Sequence, residues 1–258
     1  MDDILQKIIE LKKIELEQEK QILPLTELKA QLADLPPTLD FAGALCGEGI
    51  NIIGELKRSS PSRGIIREDF SIGELATALV LGGAAALSVL TEKNFFGGSL
   101  DNLRLVRQLV KIPLLRKDFI FDEYQLYQAR IAGADAVLLI AAMLNKSEFC
   151  RLLQAAEDLG LAVLAEAHTA AEVDFLQECD GRIIGINARN LHNFTTSLEE
   201  VAKLLPKIEK SRIAVAESAI GSAGDIDVLR RAGAQAFLVG EKLMRSAAPD
   251  VELRRLLE

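Results

Sequence analysis

The chain has no tryptophan, and in 258 residues it has only two tyrosines, two histidines and three cysteines. Each scarcity excludes something. Without tryptophan, the protein adds no tryptophan emission of its own to a fluorescence signal. His168 and His192 stand at no ligand spacing from each other or from a cysteine, so no metal site is expected and both histidines are read as bystanders. Cys46, Cys150 and Cys179 are odd in number, widely spaced and free of paired motifs. They are therefore read as reduced thiols, which points to the cytoplasm. Positive charge is in deficit, with 30 Lys and Arg against 38 Asp and Glu for a net charge of -8. That balance argues against a nucleic-acid partner while allowing a locally basic anion pocket. No apolar run is long enough to span a membrane, and Met1 to Lys20 alternates charge with isoleucine, unlike a signal peptide. No GxGxxG follows the first strand-like run, which removes the main support for an open, doubly wound dinucleotide-binding sheet.

What is present is an apolar, repetitive chain, 49% hydrophobic and 26% charged, as in a globular protein. Three segments share one pattern: Leu81 to Leu87, Ile131 to Val137, and Arg231 to Phe237. Each ends a helix-period stretch, breaks at a glycine suited to the position after a helix, and runs at once into a short apolar strand. Extending outward from these anchors gives strand-like runs at 51–56, 85–90, 114–116, 136–140, 162–165, 183–186, 213–216 and 236–239. Runs this continuously apolar suit a parallel sheet covered by helices, and eight of them predict a closed (β/α)8 (TIM) barrel. Residues 1–258 are read as one domain, of which 1–47 form an N-terminal helical extension. In that extension Asp3 to Gln21 is amphipathic, with Ile4, Ile8 and Leu11 on one face, and a second helix is expected from Leu25 to Leu32. The extension is expected to pack across one barrel end. Because such a face also buries between chains, the chain is expected to be a monomer or a weak homo-oligomer.

Chemistry in this fold stands at the carboxyl ends of the strands. Strand one ends in Glu55-Leu56-Lys57, and alternation puts Glu55 and Lys57 on the face opposite Leu56. Lys117, Glu166, Asn187 with Arg189, and Glu217-Ser218 stand at equivalent ends of later strands. Converging lysines and glutamates imply a paired network or a substrate that completes it. After the last two strands, Ser218-Ala219-Ile220-Gly221 and Gly240-Glu241 occupy the usual phosphate position of the fold, so a small phosphorylated substrate is expected. The polar loop Ser59 to Gly64 has the composition of a segment that closes over a ligand.

These residues resemble the indole-3-glycerol phosphate synthase family along nearly the whole chain. The likeness is carried by Glu55-Leu56-Lys57-Arg58-Ser59-Ser60-Pro61-Ser62, Leu90-Thr91-Glu92 with Phe95 to Ser99, and Leu115-Arg116-Lys117-Asp118-Phe119. It continues in Glu166-Ala167-His168, Gly185-Ile186-Asn187-Ala188-Arg189-Asn190, Ala216-Glu217-Ser218 and Leu238-Val239-Gly240-Glu241. The resemblance implies a carboxy-lyase of tryptophan biosynthesis that closes the indole ring of 1-(2-carboxyphenylamino)-1-deoxyribulose 5-phosphate, releasing carbon dioxide and water without a cofactor. It implies that Lys117 is the general acid, that Glu166 and Lys57 share the further proton transfers, and that Glu55 and Asn187 orient the aromatic part. It further implies that Ser60 and Arg189 receive the carboxylate and that Phe96, Phe119 and Leu138 form an apolar wall. Phosphate would lie against Lys57, Ser218, Ala219, Gly240 and Glu241, with Glu241 donating its amide and turning its carboxylate away. Ala219 and Ala188 depart from the pattern, where glycine and asparagine are usual, and alanine at a positive φ would carry strain of about 1 kcal/mol. Two other readings of the same lysines remain: a Schiff-base aldolase, and a phosphate-binding barrel without catalysis.

Overall fold

The computed structural model describes residues 4–188 and 197–258. Eight parallel strands close into a barrel: β1 (Asn51–Leu56), β2 (Ala86–Leu90), β3 (Leu114–Lys117), β4 (Ala136–Ile140), β5 (Ala162–Ala167), β6 (Ile183–Asn187), β7 (Ile213–Glu217) and β8 (Ala236–Val239). Each pairs with its neighbours in sequence, and β1 closes the ring against β8 through Asn51↔Ala236 to Gly54↔Val239. Helices follow the strands and cover them from outside. In the repeat, Gly83, Gly133 and Gly233 take φ of 98°, 89° and 114°, so each glycine ends its helix in the left-handed region that a side chain resists.

Alternation divides each strand between two cores. Ile52, Leu56, Leu87, Val89, Leu114, Val137 and Leu139 face the helices. Ile53, Ala86, Leu115, Ala136, Leu138, Leu164, Ile183, Ile213 and Val215 fill the barrel. The amino-terminal end of that inner core is closed by Phe41, Ala42 and Leu45, from the short helix that runs Phe41–Ala44 and the residue after it. Asn51 fastens this plug, donating from Nδ2 to the carbonyls of Leu45 and Gly47 at 3.1 and 3.0 Å.

The extension thus reaches both barrel ends. Its first helix, α1 (Ile4–Ile22), lies over the mouth, while Phe41 plugs the floor. The face of α1 differs from the expected one: Leu11 is exposed and Lys12 is buried. Lys12 is drawn in because its ammonium lies 2.9 Å from Asp118, whose carboxylate also meets Arg116 at 3.0 Å and accepts from Thr91 at 2.6 Å. A charge can be buried there because a fully enclosed partner awaits it. Ser59 to Ile65 forms a small antiparallel hairpin where a loop was expected. The second helix of the extension ends at Ala30, short of Leu32.

The cysteines correct the expectation of three free thiols. Cys150, in the helix Lys146–Asp158, and Cys179, just past the helix α2 (Ala170–Glu178), are joined in a disulfide, with Cα atoms 5.3 Å apart. Their separation of 29 residues follows no spacing motif, and only the packing of two consecutive barrel helices brings them together. Cys46 is free and exposed.

Candidate active site

The strands carry their polar residues into a pocket at the mouth of about 830 Å3, open volume included, which is ordinary for a small-molecule site. Glu55, Lys57, Ser60, Phe96, Lys117, Phe119, Leu138, Glu166, Asn187 and Ser218 all line it. Arg189, also expected there, lies outside the described residues, as does His192.

Lys117 is the hub. Its Nζ lies 2.7 Å from Glu217, 3.6 Å from Glu166 and 3.8 Å from Glu55. Burial works to strip its proton, but Glu217, Glu166 and Glu55 together outweigh burial and hold the pKa well above the usual lysine range. The amine is thus an ammonium at any physiological pH. Lys57 pairs with the other oxygen of Glu55. Three carboxylates therefore share two ammonium groups in a water-poor setting.

Glu217, which the sequence places at a strand end without a role, stands at the centre of this cluster. It is fully buried, and its Oε1 receives no hydrogen bond. Burial pushes its pKa up to about 7, with Glu166 adding to the shift and Lys117 opposing it. The signal that could have found it is the alternation that found Glu55, since Ile213, Val215 and Glu217 share the inward face of β7. Two glycines make room for these acids. A Cβ on Gly185 would stand 2.1 Å from a Glu217 oxygen, and one on Gly240 would stand 2.1 Å from a Glu55 oxygen.

The apolar wall is held from behind. Phe96 and Phe119 meet with ring centroids 6.0 Å apart. The buried carboxylate of Glu92 accepts from the amides of Asn94, Phe95 and Phe96 at 2.9, 2.7 and 3.0 Å, which fixes the turn that presents Phe96. Ile4, Leu5 and Ile8 of α1 complete the wall, a contribution that an amphipathic pattern alone does not assign to an end of the barrel.

Beside this pocket, Lys57, Ser218, Ala219, Gly240 and Glu241 line one smaller recess together with Glu55. Ser218 and Ala219 both adopt left-handed backbone, with φ of 67° and 60°, so the conformation suspected of straining Ala219 is the one it takes. Ser218 Oγ donates to Asn187 Oδ1 at 2.8 Å, tying this recess to the larger pocket. The Glu241 carboxylate is engaged by Arg245 at 3.0 Å and Arg63 at 3.4 Å.

With this geometry in view, the chain can be set beside known proteins. The family model described as indole-3-glycerol phosphate synthase matches residues 5–256. The chain belongs to the indole-3-glycerol phosphate synthase family. It is accordingly a carboxy-lyase of tryptophan biosynthesis. Relatives bearing that family's name include one from Dehalococcoides mccartyi, 43% identical over 98% of this chain and 100% of its own length. Another, from Acidithiobacillus ferrooxidans, is 44% identical over 99% of both. Among solved structures, a 3-hexulose-6-phosphate synthase from Salmonella typhimurium superposes with a TM-score of 0.64 at 14% identity, covering 80% of this chain and 96% of its own. A thiamine phosphate pyrophosphorylase from Pyrococcus furiosus gives 0.61 at 16%, covering 80% and 93%. At such identities these two share the fold alone.

Proposed function

We propose that the mouth of the barrel performs the family's ring closure with Lys117 as general acid. In this reading the carboxyphenylamino ring of the substrate stacks against Phe96, Phe119 and Leu138, and Ser60, whose buried Oγ has no hydrogen-bond partner, receives its carboxylate together with Arg189. Lys117 gives its proton to the sugar carbonyl as the aromatic carbon attacks. Carbon dioxide then leaves from that carbon, its bonding electrons restoring the aromatic ring, and Glu166 and Lys57 share the proton transfers of ring closure and dehydration, in which the protonated hydroxyl leaves as water and the adjacent carbon gives up a proton. Glu55 and Asn187 keep these groups in register. The phosphate lies in the recess of Lys57, Ser218, Ala219, Gly240 and Glu241, held by backbone amides and the Lys57 ammonium.

The observation that carries this reading is the placement of the Lys117 amine within 2.7, 3.6 and 3.8 Å of Glu217, Glu166 and Glu55, which favours its protonated form. General acid catalysis needs a proton held until the transition state, and an ammonium kept charged by neighbouring carboxylates at the edge of an apolar wall supplies one. The same observation weighs against the Schiff-base reading, which needs a free amine. Adding the carboxyphenylamino-deoxyribulose phosphate to the tryptophan-free protein should raise indole fluorescence, and borohydride added during turnover should attach nothing to Lys117 or Lys57. A covalent adduct on either lysine overturns the assignment, and tight binding without fluorescence favours a non-catalytic barrel.

We read residues 1–258 as one domain, because Phe41 of the extension is part of the barrel's own core. Among the described residues no helix is long and apolar enough to cross a membrane. A cytoplasmic location suits a phosphorylated intermediate, and the Cys150–Cys179 bond weighs against it, since reducing compartments keep thiols free. Thiol titration of denatured, unreduced protein gives one thiol if the bond persists and three if it does not. A monomer or weak homo-oligomer fits an α1 that buries Ile8 and Leu16 within its own chain and leaves Leu11, Ile14 and Ile22 exposed; molar mass by light scattering checks this.

A further inference from the structure

The ring closure described above makes no use of His168, a largely enclosed side chain beside Glu166. His168 stands two residues past Glu166, where the chain leaves β5, and its imidazole is largely enclosed. Neither ring nitrogen has a hydrogen-bond partner. Both are nonetheless aimed at carboxylates: Nε2 lies 3.5 Å from Glu166 Oε1, and Nδ1 lies 3.7 Å from Glu172 Oε2. Glu172 is itself fixed, because it closes the capping box of α2 and accepts from the amides of His168 and Thr169 at 2.6 and 3.1 Å. The two oxygens of Glu166 are divided between two cationic groups, Oε1 facing His168 and Oε2 lying 3.6 Å from the Lys117 ammonium.

We propose that His168 is a positioning residue for the reaction: as an imidazolium between Glu172 and Glu166, it fixes the Glu166 carboxylate with one oxygen toward Lys117 and the substrate. Among the described residues, the titratable groups around the ring are Glu166 on β5, Glu172 on α2 and Glu217 on β7, with Lys117 of β3 beyond Glu166. A neutral imidazole at that position could donate to only one of the two carboxylates and would turn the lone pair of its other nitrogen toward the second, whereas the cation has an acceptor on each side. Burial disfavours the charge, but Glu172, Glu166 and Glu217 together raise the pKa above the ordinary histidine value. His168 contributes charge and orientation, and no proton leaves it during turnover.

The test uses the chain's having only two histidines. In His192→Gln protein a single imidazole remains, and its NMR signals can be followed against pH in the full-length chain. The midpoint should lie above about 6.5 and should fall when Glu166→Gln or Glu172→Gln is added. In His168→Gln protein, the acid limb of the kcat/KM profile should move up by about one pH unit, a roughly tenfold loss on the acid side, with KM little changed at high pH. A midpoint at the ordinary value that ignores Glu166→Gln overturns the proposal, as does an unmoved acid limb. The NMR arm needs no turnover and no folded His168 variant, so it stands or fails apart from the catalytic roles assigned above.

Discussion

At the floor of the barrel, Phe41 and Leu45 meet Ile53, Ala86, Leu115 and Ala136 with hardly any exposed surface. At the mouth, the odd-numbered barrel strands turn inward Glu55, Lys117, Glu166 and Glu217, equally buried or nearly so. The burial is alike and the energetics are opposite. An apolar side chain enclosed at the floor contributes about 1.5–3 kcal/mol. Enclosing a charge costs several kcal/mol before any pairing offsets it. Fold stability therefore concentrates at one end, and the other end spends some of it on groups whose proton affinities are displaced from their values in water. Gly185 and Gly240 sit at the second end, where a methyl group would meet a glutamate.

If the two ends divide labour in this way, changes at the floor should alter stability and leave chemistry alone. Phe41→Ala should cost about 3–5 kcal/mol in denaturant unfolding, while the kcat/KM of the remaining folded protein stays near wild type. Equal losses in both would break the comparison.

A smaller effect should separate the ends by pH. Glu217 has a folded pKa raised from 4.5 to about 7, so its contribution to stability is full below pH 4.5 and is lost as pH rises through 7. Glu217→Gln should flatten the stability profile across that window and lower turnover, because Lys117 loses its nearest anion. A variant that keeps the wild-type slope would place the titration elsewhere.

The smallest effect lies at the recess proposed for phosphate. Ala219→Gly should relieve left-handed strain and raise stability by at most about 1 kcal/mol, since glycine also frees the unfolded chain. A loss of stability would mean that the alanine methyl packs better than its backbone suffers.

How the sequence reads follows the same division. Strands β1, β4 and β8 have the bounds that their apolar runs predict, and the repeat glycines end their helices as read. The predicted ends of β3, β5, β6 and β7 fall short, omitting Lys117, Glu166 with Ala167, Asn187 and Glu217. The reason is physical: a polar residue ends an apolar pattern, whereas a closed barrel carries its strand and its burial one or two residues further. The residues cut off are the site residues, so the pattern fails where the chemistry begins. The roles of Lys12 and of the Cys150–Cys179 pair were not legible, because each depends on a partner that only tertiary packing supplies.

The central claim is that the buried ammonium at the mouth acts as an acid, with its three carboxylates there to keep it charged. Turnover of the carboxyphenylamino-deoxyribulose phosphate by Lys117→Ala, read as indole fluorescence on protein whose circular dichroism shows it folded, tests that claim most directly. The account predicts a fall in kcat of roughly 10²- to 10⁴-fold. Turnover within a few-fold of wild type would contradict it and leave Lys117 a structural member of an ion-pair cluster.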